Sequence, residues 1–508
     1  MKVKLLPPGA LPTLSRAAGR PTSALYNRLD ALLLLVDADA VTGFTDFPLG
    51  DALAREHARL KRPPGSCYSV TLPTRRGLRV VVGVLPKAAD PFQTLSLAAR
   101  IVREIATAQP STVGLAQLGA VGPAATTALE ALLTAVVTAT EAKPIQKSRP
   151  APGWRPKDIV VCGRLDLDAA RAVHRGAHLA RWLTQLAPNA LTPGSYRRAL
   201  ATLARAHGWR MKVHDEAALR RLGAGAFIAV ARGSARRDAA LVHLQYRPRG
   251  RNARAQAPIA LVGKGLCFDT GGLNIKTAKS MLDMHADMGG SAVAVGMLHA
   301  LTESGFPYPV DAWLALAENR IGPESYTQQD IVTAANGTTI QVMHTDAEGR
   351  MVLADTLALA SRTRPACIID FATLTGACVT ALTERLSGVF TNRPDLRDVL
   401  EGAGRDSGER VWTFPMPSDF DDDLNSPVAD TVQCLIDGKG DHIYAARFLS
   451  HFVTPSIPWI HVDLSSAERS GGLAHVPTSI TGFGVRFGTT LLAHPDFISA
   501  LKAPARNP

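Results

Sequence analysis

The chain has 508 residues, 46% of them hydrophobic and 20% charged, with a formal net charge of +12. Single cores stop growing at about 250–300 residues, so this length calls for at least two domains, and the apolar content excludes a disordered chain. No run of about 18 apolar residues occurs, and Pro7-Pro8 interrupts the place where a signal peptide needs its apolar segment; the expectation is a cytoplasmic protein with no membrane association.

The charge is unevenly placed. Residues 1–190 hold 24 Lys and Arg against 13 Asp and Glu, hence +11, while the other 318 residues hold 32 against 31, hence +1. A basic domain can bind nucleic acid or acidic surfaces, but a solvated or subunit-facing surface is the commoner origin of such an excess, and assembly is favoured here. The six cysteines (Cys67, Cys162, Cys267, Cys367, Cys378, Cys434) show no paired metal spacing, and several sit in apolar runs as small hydrophobes.

Residues 1–165 alternate apolar strand-like runs at 31–36 and 78–84 with Ala/Leu-rich helical stretches at 94–107 and 123–139. This predicts a smaller N-terminal α/β domain with a largely parallel sheet. A Pro- and base-rich passage, 143–157, precedes a further strand at 158–162, and 166–189 reads as a connecting helix stopped by Asn189 and Thr192-Pro193. From 190 to 508 the alternation resumes, predicting a larger C-terminal α/β/α catalytic domain with a mixed, mostly parallel sheet. A helix is expected at 193–207, strands near 225–231, 240–246 and 258–263, a small-residue helix at 289–300, and buried strands at 311–316, 366–371 and 459–464.

Two runs carry the chemistry. In the first, the strand ending Val262-Gly263-Lys264-Gly265 leads to Phe268-Asp269-Thr270-Gly271-Gly272, then Ile275-Lys276, then Met284-His285-Ala286-Asp287-Met288-Gly289-Gly290. In the second, a β-branched stretch at 338–343 gives way to His344-Thr345-Asp346-Ala347-Glu348-Gly349-Arg350 and then to a helical pattern at 351–360. Asp346, Glu348 and Arg350 are thus expected on a strand-to-helix turn, where α/β sheets bind ligands and a helix N-terminus favours anions. Singly, each acid reads as a cap or turn-former beside glycine. Together, Asp269, Asp287, Asp346 and Glu348 suit two divalent cations held close together.

These runs resemble the signatures of the leucyl (cytosol) aminopeptidase family, and the likeness extends to Ala317-Glu318-Asn319, to 370–377, to Ala429-Asp430, to Trp459-Ile460-His461-Val462-Asp463 and to 481–486, over roughly residues 170–490. The resemblance implies a metal-dependent aminopeptidase releasing N-terminal amino acids from peptides, leucine-type and broad in range, through a water activated by two ions. It implies that Lys264, Asp269, Asp287 and Glu348 hold the tighter ion and that Asp269, Asp346 and Glu348 hold the exchangeable one. Zinc or manganese is expected, with cobalt or magnesium as alternatives. A lysine can ligate only as a neutral amine, which a neighbouring dication permits.

By the same resemblance Lys276 and Arg350 are catalytic, Lys276 as an electrophile and Arg350 as the holder of a bicarbonate ion acting as general base. Met284, Thr373, Leu374 and Gly376 border the substrate, with the Leu374 carbonyl and Gly376 N–H on its backbone. The family forms hexamers, so a homohexamer is implied. His344 departs from the family's Asn; it reads as a hydrogen-bonding substitute, with an extra metal ligand as the alternative. His461 reads as a satisfied core histidine. Two other functions fit parts of the sequence: a two-metal phosphodiesterase, against which the amine of Lys264 speaks, and a nucleic-acid-binding or scaffold protein on an aminopeptidase fold.

Overall fold

The computed structural model describes residues 3–502 apart from 10, 18, 151–152 and 251–255. In the N-terminal part, Thr13–Ala17 (β1), Ala31–Asp37 (β2), Cys67–Leu72 (β3), Leu78–Leu85 (β4), Thr112–Leu118 (β5) and Asp158–Cys162 (β6) form a sheet in the order β1-β6-β5-β2-β4-β3, parallel except at β3. The central strands β2 and β4 are buried on both faces, as strands covered by helices must be, whereas the edge strands β1 and β3 are partly exposed. On one face lie the helices Pro91–Ala106 and Gly122–Thr140. The second is apolar and long enough to cross a membrane, but Ala128–Thr138 packs in this core.

The second sheet has eight strands: Arg210–Asp215 (β7), Ala240–Tyr246 (β8), Ile259–Asp269 (β9), Val310–Asn319 (β10), and later Cys367–Ala372 (β13), Ser387–Thr391 (β14), Val411–Thr413 (β15) and Trp459–Asp463 (β17). A separate small sheet joins Ile331–Thr333 (β11), Thr339–Gln341 (β12) and Thr431–Val432 (β16). In the large sheet the order is β15-β14-β17-β13-β9-β10-β8-β7, and β10, β9, β13 and β17 run parallel at the centre. Their carboxyl ends therefore open on one edge, where residues following each strand can meet. The expected mixed, mostly parallel α/β architecture is what the fold displays.

Close approach at that edge depends on small residues. A Cβ on Gly290 would stand 2.0 Å from the Phe371 carbonyl oxygen, so only glycine lets the helix Gly289–Glu303 lie against β13. The helix Leu167–Thr184 packs against that helix and belongs to the core of the large sheet.

Two expectations need correction. Residues 225–231 form a helix and not a strand: a short run apolar on every side has no period to separate the two, and its first N–H groups find a partner far along the chain, Asp355 Oδ2, which accepts from Phe227 N at 2.7 Å. The 338–343 strand is also shorter than expected, at Thr339–Gln341, and pairs in the small sheet. The loop carrying Asp346 therefore does not leave a strand of the central sheet. It is brought to that edge by side-chain bonds, since Thr345 N donates to Asn274 Oδ1 and Thr345 Oγ1 to the Gly271 carbonyl.

Candidate active site

Lys264 lies within β9, nearly sealed from solvent. Its Nζ is 2.8 Å from Asp287 Oδ1 and 2.9 Å from Glu348 Oε1, and donates to the Thr373 carbonyl at 3.0 Å. A Cβ on Gly349 would sit 2.6 Å from Lys264 Cε, so glycine there leaves the lysine its path. Asp269 ends β9: its Oδ1 accepts from Gly271 N and Asn319 Nδ2, each at 2.8 Å, and its Oδ2 is 2.9 Å from Lys276 Nζ. Lys276 also pairs with Asp346. Thr373 Oγ1 donates to Asp287 Oδ1 at 2.7 Å.

Helix geometry sets the remaining acid. Glu348 opens the helix Glu348–Ser361, where a carboxylate sits favourably at the positive end of the dipole. One oxygen each from Asp269, Asp346 and Glu348 lie within 4.8 Å of one another, close enough to share a single dication.

The carboxylates exceed what the two lysines can neutralise. Burial, together with repulsion by Glu348 and Asp269, pushes Asp287 up to about 8; burial and the same two neighbours push Asp346 up to about 7. Glu348 is raised as well, by burial and Asp269. Burial alone would lower both lysines, but Asp287 and Glu348 hold Lys264 above the ordinary amine value and Asp269 and Glu348 do the same for Lys276. Among the described residues, Asp287 Oδ2 and Glu348 Oε2 are buried with no hydrogen-bond partner. Orphaned anionic oxygens facing like charges are what divalent cations relieve, and the donor set of carboxylates plus one amine fits them.

Lys264, Asp269, Lys276, Met284, Asp287, Asp346, Glu348, Thr373, Leu374 and Gly376 all line one cavity of about 290 Å³. Arg350 does not line it. Buried in the first turn of its helix, Arg350 gives one guanidinium arm to Asp441 Oδ2 at 2.6 Å and another to the Gln433 carbonyl at 3.0 Å.

Sequence reasoning assigned no role to several residues that shape the site. Asp463, at the end of β17, accepts from Leu374 N at 3.1 Å, Thr375 N at 3.3 Å and Thr375 Oγ1 at 2.6 Å, and so holds the loop after β13. Asn319 bridges Asp269 and the Thr345 carbonyl, to which Tyr326 also donates at 2.6 Å. Asp463 and Asn319 stand inside family segments; Tyr326 carried no local signal. His344 Nδ1 accepts from Asp346 N at 3.2 Å, a polar role at the loop. His461 is half satisfied: Nδ1 meets Asp370 Oδ1 at 2.6 Å and Nε2 is buried with no partner among the described residues.

Comparison with known proteins agrees with this geometry. The sequence model described as the cytosol aminopeptidase family, catalytic domain, matches residues 178–488. A probable cytosol aminopeptidase of Parasynechococcus marenigrum is 36% identical over 91% of this chain and 96% of its own length, and one of Synechococcus sp. is 36% identical over 86% and 89%. Among solved structures, a tomato leucine aminopeptidase mutant superposes with a TM-score of 0.82 at 25% identity, covering 96% of this chain and 98% of that one. The bottromycin maturation enzyme in complex with Mn gives 0.80 at 31%, covering 91% and 98%. With the match spanning more than half the chain and the relatives most of it, this chain belongs to the cytosol aminopeptidase family and is a metal-dependent aminopeptidase of that leucyl-type family.

Proposed function

We propose that this aminopeptidase removes the first residue of peptides at the cavity described above, with Lys264, Asp269, Asp287 and Glu348 holding one ion and Asp269, Asp346 and Glu348 the other. The observation that carries the assignment is the pair of buried, partnerless oxygens on Asp287 and Glu348 beside two acids and two lysines. Two divalent cations supply Lewis acidity for the attacking water and the scissile carbonyl. Zinc or manganese is proposed, the manganese complex of the bottromycin enzyme supporting the latter, with cobalt or magnesium as alternatives.

The chain's own groups do the rest. Lys276, a side chain 15% exposed at the cavity wall, donates to the carbonyl oxygen as charge develops on it. The Leu374 carbonyl accepts from the substrate backbone and the Gly376 N–H donates to it, on a loop that Asp463 holds rigid. Met284 and Thr373 border the N-terminal side chain. As the family resemblance implies, we assign Arg350 to hold a bicarbonate ion that accepts the proton; Arg350 lies outside the cavity lining, so that anion has to reach a guanidinium already paired with Asp441.

We further propose that residues 1–165 and 190–508 are separate domains joined by 166–189, that the protein assembles as a homohexamer, and that the basic excess of residues 1–190 serves assembly rather than nucleic acid. The names of the relatives support a cytosolic location. Exhaustive chelation should abolish hydrolysis of aminoacyl p-nitroanilides and a divalent ion should restore it. Full activity after chelation would refute the assignment.

A further inference from the structure

Beyond the ion-holding acids, the same cavity is lined by Met284, Val379, Leu464, Glu384 and Glu468. Its apolar members suit the stem of a long side chain; of its three further acids Asp463 is taken up by the loop after β13, and the other two, Glu384 and Glu468, do not suit leucine. Glu468 is only partly exposed, and its backbone is pinned by a bridge to Ile480. Every acid of the ion cluster lies within 3 Å of a lysine amine, whereas among the described residues Glu468 has no ion-pair partner. Burial first, and then repulsion from Asp283, push its carboxyl up to about 7, as befits an acid facing another acid without a cation. The bases adjacent in sequence do not help, because Arg385 and Arg469 line a different cavity with Phe92 and His475, and Arg469 donates to the Gly472 carbonyl.

We infer that Glu468 makes this pocket select peptides whose N-terminal residue carries a cationic side chain, arginine or lysine; the inference rests on the aminopeptidase reading above. A leucine side chain in the pocket would strip water from the Glu468 carboxylate and return no partner. An arginine lays its aliphatic stem along Met284, Val379 and Leu464 and brings the missing cation to the acid. Glu384, more exposed than Glu468, adds to the field and contributes less.

The test compares kcat/KM for arginyl-, lysyl-, leucyl- and methionyl-p-nitroanilide in the metal-loaded full chain, for the wild type and for Glu468→Gln, Glu468→Asp and Glu384→Gln. The wild type should favour the arginyl over the leucyl substrate by about tenfold or more. Glu468→Gln should lower that ratio by about 10- to 100-fold, the size expected for one charged hydrogen bond, chiefly through KM for the cationic substrates. Glu468→Asp should restore part of it, and Glu384→Gln should change it by less. A wild type faster on leucine than on arginine overturns the inference without any variant, as does a ratio unchanged in Glu468→Gln. A chain that hydrolyses none of the four substrates would overturn the aminopeptidase reading itself.

Discussion

Arg350 and Asp441 form an ion pair at 2.6 Å in which the arginine side chain is 2% exposed and the aspartate 24%. The pair neutralises one guanidinium arm, the Gln433 carbonyl takes a second, and Arg350 Nε is buried with no partner among the described residues. An external anion must therefore share the guanidinium with Asp441.

The consequence is a three-way comparison. Arg350→Ala should keep its metal, turn over more slowly by up to the roughly 10²–10⁴-fold typical of a general base, and lose stimulation by bicarbonate. Asp441→Asn removes the competing carboxylate, so bicarbonate should stimulate that variant and raise its melting temperature more than it does in the wild type. The measurement is turnover and thermal melting with and without added bicarbonate in a degassed buffer. Identical responses in all three proteins would remove Arg350 from the proton path.

Glu348→Ala should cost more metal and more activity than Asp346→Ala. Glu348 is buried at 1% exposure and contacts Lys264 at 2.9 Å, whereas the Asp346 side chain is 25% exposed. Metal content per chain after gel filtration, measured by plasma mass spectrometry, reads the difference. Equal loss in the two variants would refute a shared role for Glu348.

Asp355 ties two chain segments together without lining the cavity. Its Oδ2 accepts from Phe227 N at 2.7 Å and its Oδ1 from Ala335 N at 2.6 Å, and the residue is fully buried. Asp355→Asn must turn an amide N–H toward one of those donors. The expected loss is about 2 kcal/mol, seen as a drop of several degrees in melting temperature. An unchanged melting temperature would contradict the dual-acceptor role.

Gly290→Ala should destabilise the chain by about 1–3 kcal/mol and weaken metal binding together, because the added Cβ would lie 2.0 Å from the Phe371 carbonyl and must push the Gly289–Glu303 helix away from β13. Asp287 stands two residues before the first residue of that helix, so its carboxylate should be displaced with it. Thermal melting and metal content check the two effects, and loss of either one alone would show that the helix does not couple them.

The sequence by itself singled out the charged residues of the candidate site. Lys264, Asp269, Lys276, Asp287, Asp346 and Glu348 stand in two runs whose glycines and apolar strands leave charged groups nowhere to be solvated, and the cavity collects all six. The alternation of apolar runs also determined the class of fold and most strands and helices, because periods of 2 and 3.6 are local properties. Only the tertiary structure decided the features that depend on a partner distant in the chain. Residues 225–231 are helical where Asp355 receives their N–H groups, 128 positions away. The loop of Asp346 reaches the central sheet through Asn274 and Gly271, although its own strand pairs elsewhere. Arg350 faces Asp441 and not the cavity, and Glu468, unremarkable in sequence, lines the pocket with no ion-pair partner among the described residues. In each case the deciding hydrogen bond or charge joins residues that no local pattern brings together.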